Sequence, residues 1–194
     1  MANRREVLFA ALTGTLAASS ASRAAGPPAG PRAGYFPNAR LNTHDGRQVR
    51  FYDDVVRGDK IVVFNMMYTV CANICPPTTA NLLRLQAQLG PRMGRDIFFY
   101  SLTLQPELDS PAALREYAAK YGVVGPGWTF LTGARGDMDT IRRKLGFYDI
   151  DPVVDADLSR HSGMLRIGRE ARDRWSMMPA QLTTRQLSSA ILAL

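Results

Sequence analysis

The chain has 194 residues, 46% of them hydrophobic and 21% charged, with two cysteines and two histidines. These figures fit one globular domain and exclude a disordered chain, a collagen-like repeat, a multi-span membrane protein and a four-cysteine zinc site. The formal charge of +7 falls to about +5 once residues 1–25 are set aside, and no basic stretch is interleaved with stacking aromatics, so nucleic acid is not an expected partner.

The chain opens with Asn3-Arg4-Arg5-Glu6, followed by a charge-free stretch from Val7 to Ser22. Paired arginines before a mildly apolar segment read as a twin-arginine-like signal over residues 1–24, with Ser22-Arg23-Ala24 as a small-x-small cleavage site. Thr13, Gly14, Thr15, Ser19 and Ser20 dilute that segment too much for a good bilayer span. The mature protein is therefore expected in the periplasm or another extracytoplasmic space, with membrane association only if the signal is retained. Residues 25–34, rich in Gly, Pro and Ala, read as a flexible linker, and residues 35–194 as one domain.

Tyr35 to Asp53 holds two short extended segments around Asp45-Gly46, a hairpin. Lys60 to Tyr68 is β-branched and apolar on both faces, a central strand. After Cys75-Pro76-Pro77, Leu82, Leu83, Leu85 and Leu89 recur at helical spacing, and Ile97 to Leu104 is a second buried strand. Ser110-Pro111 starts a helix running to about Tyr121, with Ser110 as cap. Gly127 to Leu131 is a short strand, Asp137 to Leu145 a helix, Met164 to Ile167 a strand and Thr183 to Leu194 a closing helix. Strands alternating with helices predict an α/β sandwich.

Chemistry concentrates in Tyr68 to Pro77, where both cysteines, Cys71 and Cys75, lie four residues apart at a strand-to-helix junction. A helix start lowers a thiol pKa, and the spacing allows a redox disulfide or a shared metal. Two thiolates are soft ligands, and with one histidine they suffice for Cu(I) while remaining thin for zinc. A pair of structural cysteines is the plain alternative for an exported chain. His161, just before the strand at Met164, is one candidate third ligand; His44, beside a polar turn, reads as a solvated turn residue. Met66, Met67, Met177 and Met178 read as core filler, and Asp151, Asp155 and Asp157 as a solvated loop. The basic run Arg166 to Arg174 alternates with Glu170 and Asp173 and reads as a solvated hairpin. Thr69 stands two residues before Cys71, not three, which disfavours a peroxiredoxin-like peroxidase.

From Tyr35 to the C-terminus the sequence resembles the SCO/SenC family. The segments that carry the likeness are Tyr68-Thr69 with Cys-x-x-x-Cys-Pro at Cys71–Pro76, Asp45-Gly46 with Phe51, Ser101-Leu102-Thr103-Leu104, Trp128 to Gly133, and His161-Ser162, 86 residues after Cys75. The resemblance implies a thioredoxin-like fold with an N-terminal β-hairpin extension. It also implies copper, as Cu(I) with Cu(II) as a second state, held by Cys71, Cys75 and His161. Its implied partners are the copper subunit of cytochrome c oxidase, in assembly of the binuclear copper centre, or another periplasmic copper protein. Two departures stand out: Ala72-Asn73 replaces a typical Pro-Asp, and Arg160 precedes His161 where Asp is common. Losing that carboxylate removes an acceptor that would orient the imidazole. A thiol–disulfide oxidoreductase with its own thiol partner, and a copper or redox sensor, are the other uses of the Cys71–Cys75 pair.

Overall fold

The computed structural model describes residues 30–158 and 163–194. In chain order its strands are β1 (Arg40–Thr43), β2 (Gln48–Arg50), β3 (Ile61–Met67), β4 (Ile97–Thr103), β5 (Trp128–Gly133), β6 (Met164–Arg169) and β7 (Arg174–Pro179). The helices are α1 (Cys75–Leu89), α2 (Pro111–Lys120), α3 (Arg135–Leu145), α4 (Pro152–Ala156) and α5 (Thr184–Leu192).

All seven residues of β3 are buried, as an apolar run without alternation requires. It pairs parallel with β4, and β4 pairs parallel with β5. On its other edge β3 meets β6 antiparallel, and β6 folds back into β7. The β1–β2 hairpin adds antiparallel to β5, so the sheet runs β2-β1-β5-β4-β3-β6-β7. Alternate residues of β3 feed two cores. Ile61, Val63 and Met67 face Leu82 and Leu85 of α1, with Leu114 of α2 and Leu187 and Ile191 of α5 in the same cluster. Val62, Phe64 and Met66 join Met138, Ile141 and Leu145 of α3, with Phe51 and Val56 from a wide helical turn over Phe51–Val56.

Polar groups inside the sheet are paired. Trp128 Nε1 donates to Ser101 Oγ at 2.9 Å, and Ser101 Oγ donates to Asn65 Oδ1 at 2.7 Å, a relay across β5, β4 and β3. At the lower edge Gly127 has φ +90°, and a Cβ there would lie 2.2 Å from Gly94 N, so only glycine lets the two loops touch.

The α/β sandwich and its hairpin appear as expected, with differences that have local causes. β5 extends to Gly133 because β1 pairs with it there. α3 begins two residues earlier, at Arg135. The basic run forms the β6–β7 hairpin, but its Glu170 is not solvated. It is fully buried, accepting from Arg32 N at 2.7 Å and Tyr52 Oη at 3.0 Å. Residues 30–34, the end of the expected linker, form a turn that Arg32 anchors on Glu170 and Asp173. The rest of the linker and the signal at 1–24 lie outside the described residues. No helix among the described residues is long and apolar enough to cross a membrane.

The acidic stretch is also not a solvated loop. Asp151 caps α4, and the Asp155 carboxylate accepts from Arg142 at 2.5 and 2.8 Å and from Arg143 at 2.9 Å. Hydrogen bonding to Arg142 outweighs burial and holds Asp155 at about 2, below its ordinary 3.8. A carboxyl depressed on folding stabilises the protein above its unfolded pKa and ceases to do so as pH falls through the folded one. Asp155→Asn is expected to cost about 1–3 kcal/mol at pH 7 in urea unfolding. The gap to the parent should close between about pH 4 and about pH 2.

Candidate metal centre

The site begins where β3 ends. Beyond Met67 the chain turns, and Cys71 N–H donates to Tyr68 O at 3.1 Å. Asp109 fixes that turn. Its carboxylate, fully buried, receives Thr69 N–H at 3.3 Å on both oxygens and Thr69 Oγ1–H at 2.5 Å, while Thr103 Oγ1 donates to Oδ2. The cysteine loop is thus pinned to the end of β4 and the approach to α2.

α1 opens with Cys75-Pro76-Pro77, and its cap residue Ile74 supplies no side-chain acceptor. Proline has no N–H, so Pro76 and Pro77 remove two of the donors a helix start leaves unpaired. Thr78 N–H bonds to Ile74 O at 3.2 Å. The remaining donor, Cys75 N–H, points at Cys71 Sγ, 3.3 Å away. A sulfur therefore occupies the place of a capping oxygen, at the positive end of the helix.

This geometry separates the two thiols chemically. Burial pushes the Cys71 thiol up. Hydrogen bonds from the Cys75 thiol and from the backbone N–H groups of Cys75, Ile74 and Asn73 outweigh it and hold Cys71 below the ordinary thiol range. Cys75 is pushed well up, first by burial and then by its bond to Cys71. Tyr68 is raised to about 12 by burial and by the hydrogen bond it shares with Cys71. The pair is thus a thiol eased toward its anion beside one held protonated, both free cysteines, 7% and 2% exposed.

Cys71 and Cys75 are thus brought together, whereas His161 falls in 159–162, outside the described residues, as does Arg160. The neighbours of that segment lie close to the cysteines. A Cβ on Gly163 would be 3.3 Å from Ile74 Cγ2, and Asp157 contributes to the field at Tyr68. Among the described residues no group of three His, Cys, Asp or Glu is placed to share a metal. His44 is not a solvated turn residue. Its Nδ1 accepts Phe130 N–H at 3.2 Å, its ring packs edge-on against Phe130, and burial lowers its pKa. Met66 and Met67 are buried in the two cores; Met177 and Met178 pack against them. Asp109 was not legible as a site residue. An acid before a capping Ser reads as a solvated helix-start residue, and only the approach of Thr69, 40 residues away, makes it a clamp.

Comparison with known proteins gives the family and the fold. The SCO1/SenC family model matches residues 36–193. A protein of Bacillus subtilis named "SCO1 protein homolog" is 34% identical over 93 residues. The match covers 48% of this chain and 46% of that relative, so the chain spans less than half of its length. Among solved structures, a SCO1/SenC family lipoprotein from Bacillus anthracis superposes with a TM-score of 0.67 at 20% identity, covering 82% of this chain and 94% of that one. Bradyrhizobium japonicum ScoI with copper bound gives 0.62 at 18% identity, covering 79% and 95%. These likenesses show the fold, a thioredoxin-like sheet carrying the N-terminal hairpin.

Asp109→Ala leaves the Thr69 and Thr103 donors buried without their acceptor. It is expected to cost about 2–4 kcal/mol in urea unfolding and to speed alkylation of Cys71 by iodoacetamide, with Asp109→Asn restoring part of both.

Proposed function

This chain belongs to the SCO1/SenC family, and we propose from that premise that it binds copper through Cys71, Cys75 and His161 and passes it to another extracytoplasmic copper protein. The copper subunit of cytochrome c oxidase, during assembly of its binuclear centre, is the recipient this reading favours. One observation carries the reading: a buried pair of free sulfurs in hydrogen-bond contact, one of them held below the ordinary thiol range by the Cys75 thiol and the backbone N–H groups of the helix start. Two thiolates suit a soft monovalent metal, and an imidazole completes a trigonal set. The copper-bound Bradyrhizobium relative shares the fold. Gly163, packed on Ile74, supports an approach of the His161 segment to the cysteines.

The chain's own residues prepare the exchange. Cys71 Sγ presents an electron pair held in place by Cys75 N–H and the Tyr68 hydroxyl. Entry of the metal displaces the Cys75 proton, so binding weakens as pH falls. Asp109 keeps the loop from following a departing metal into a partner. The signal at residues 1–24 is proposed to direct export to the periplasm.

The contact between the sulfurs favours a second use, thiol–disulfide exchange. Cys71 thiolate attacks a partner disulfide and expels one partner thiolate. Cys75 then gives up its proton and attacks Cys71 Sγ, releasing the second. The partner gains two electrons, and this chain keeps the Cys71–Cys75 disulfide.

Anaerobic titration of the reduced mature protein with Cu(I) against a competing chelator separates the two uses. One tight equivalent is expected, weakened at least about 100-fold in Cys71→Ser and about 10–100-fold or more in His161→Ala. No tight copper beside a readily cycled Cys71–Cys75 disulfide would replace this reading with the oxidoreductase.

A further inference from the structure

The sheet carries a polar cleft at the end of β3 opposite the cysteines. Lys60 precedes the first residue of β3, whereas Cys71 follows the last, and a seven-residue strand spans about 23 Å. There a cleft of about 450 Å³ opens between the β1–β2 hairpin, the start of β4 and the loop before β5. That size falls within the usual range for small-molecule sites.

Its lining sets polar groups, Thr43, Arg47, Asp54, Lys60 and Thr129, beside an apolar and aromatic wall of Val49, Leu131, Phe98 and Tyr100. The two aromatic rings lie nearly parallel, 14° apart, with centroids at 6.5 Å. Lys60 Nζ sits 5.6 Å from the centre of the Phe98 ring and donates to Asp54 O at 2.5 Å. No carboxylate pairs with it among the described residues, and two of its three donors have no protein acceptor there. Burial lowers the Lys60 pKa to about 8, against the opposing pull of the Asp54 carboxylate. Tyr100 also lines the cleft, and its hydroxyl makes no hydrogen bond among the described residues. Thr129 adds a second hydroxyl and Arg47 a second cation.

We propose that this cleft binds a small aromatic carboxylate, its ring packed against Phe98 and its carboxylate on Lys60 and the Tyr100 hydroxyl. An anion there supplies acceptors for the two free Lys60 donors, and a flat apolar body covers the wall of Val49, Leu131 and Phe98, which an inorganic ion would leave bare. One Asp54 carboxylate oxygen accepts Arg50 N–H at 2.6 Å while Lys60 donates to the Asp54 carbonyl, and a carboxylate this near disfavours a dianion more than a monoanion. The site uses none of the groups at the cysteine end and does not depend on the copper reading.

The test uses the mature protein and naphthalene-2-carboxylate as probe, followed by calorimetry and by chemical-shift changes in Phe98 and Tyr100. Saturable one-to-one binding is expected, at least about 10-fold tighter than for neutral naphthalene-2-carboxamide. Lys60→Gln should abolish that preference, and Tyr100→Phe should weaken the acid about 3–10-fold, as loss of one hydrogen bond to a charged group does. Cu(I) affinity should be unchanged in both variants. Equal binding of acid and amide, binding indifferent to Lys60→Gln in a folded variant, or no saturation at millimolar probe would each overturn the proposal.

Discussion

The hydrogen bond from Cys75 N–H to Cys71 Sγ is the contact on which the site depends. A helix start needs acceptors for its unpaired donors, and here two prolines remove two of them, leaving Cys75 N–H, beside that of the cap residue Ile74, to be met by Cys71. Giving that N–H to a sulfur supplies α1 with a cap and favours the anionic form of Cys71. The same bond fixes the distance between the two cysteines without joining them covalently.

What holds the loop comes from two directions. From below, β3 enters with every residue buried, so the register of Met67 with Thr103 is fixed by the core. From the side, Asp109 receives Thr69 and Thr103 together. A buried carboxylate is tolerated because three donors, Thr69 N–H shared between both oxygens and the hydroxyls of Thr69 and Thr103, replace its lost water. The Arg142–Asp155 pair performs a similar task for α4, and Asp157 just beyond it lies within electrostatic reach of Tyr68.

Much of this was legible in the sequence, for definite reasons. β3, β4 and the helix after Cys75 carry their own signals in apolar runs, spacing and proline placement. Ser110 caps α2 through its bond from Ala113 N–H, and Thr183 caps α5 with Gln186 in return, as local motifs predict. Contacts distant in sequence were not legible. Glu170 looks like a hairpin charge until the turn at Arg32 closes over it, and His44 looks like a turn residue until Phe130 N–H reaches it. The two cysteines announce themselves by spacing at a strand-to-helix junction. Asp109 has no such pattern, and the Lys60 cleft is assembled from four separate strands and the loops between them.

The most direct test of the account is X-ray absorption at the copper edge on protein loaded with one Cu(I), beside its His161→Ala variant. The account predicts a three-coordinate copper with two sulfurs and one imidazole nitrogen, the nitrogen vanishing in the variant. A site with sulfur neighbours alone in the parent protein, or with copper–copper scattering from a cluster shared between molecules, would contradict it.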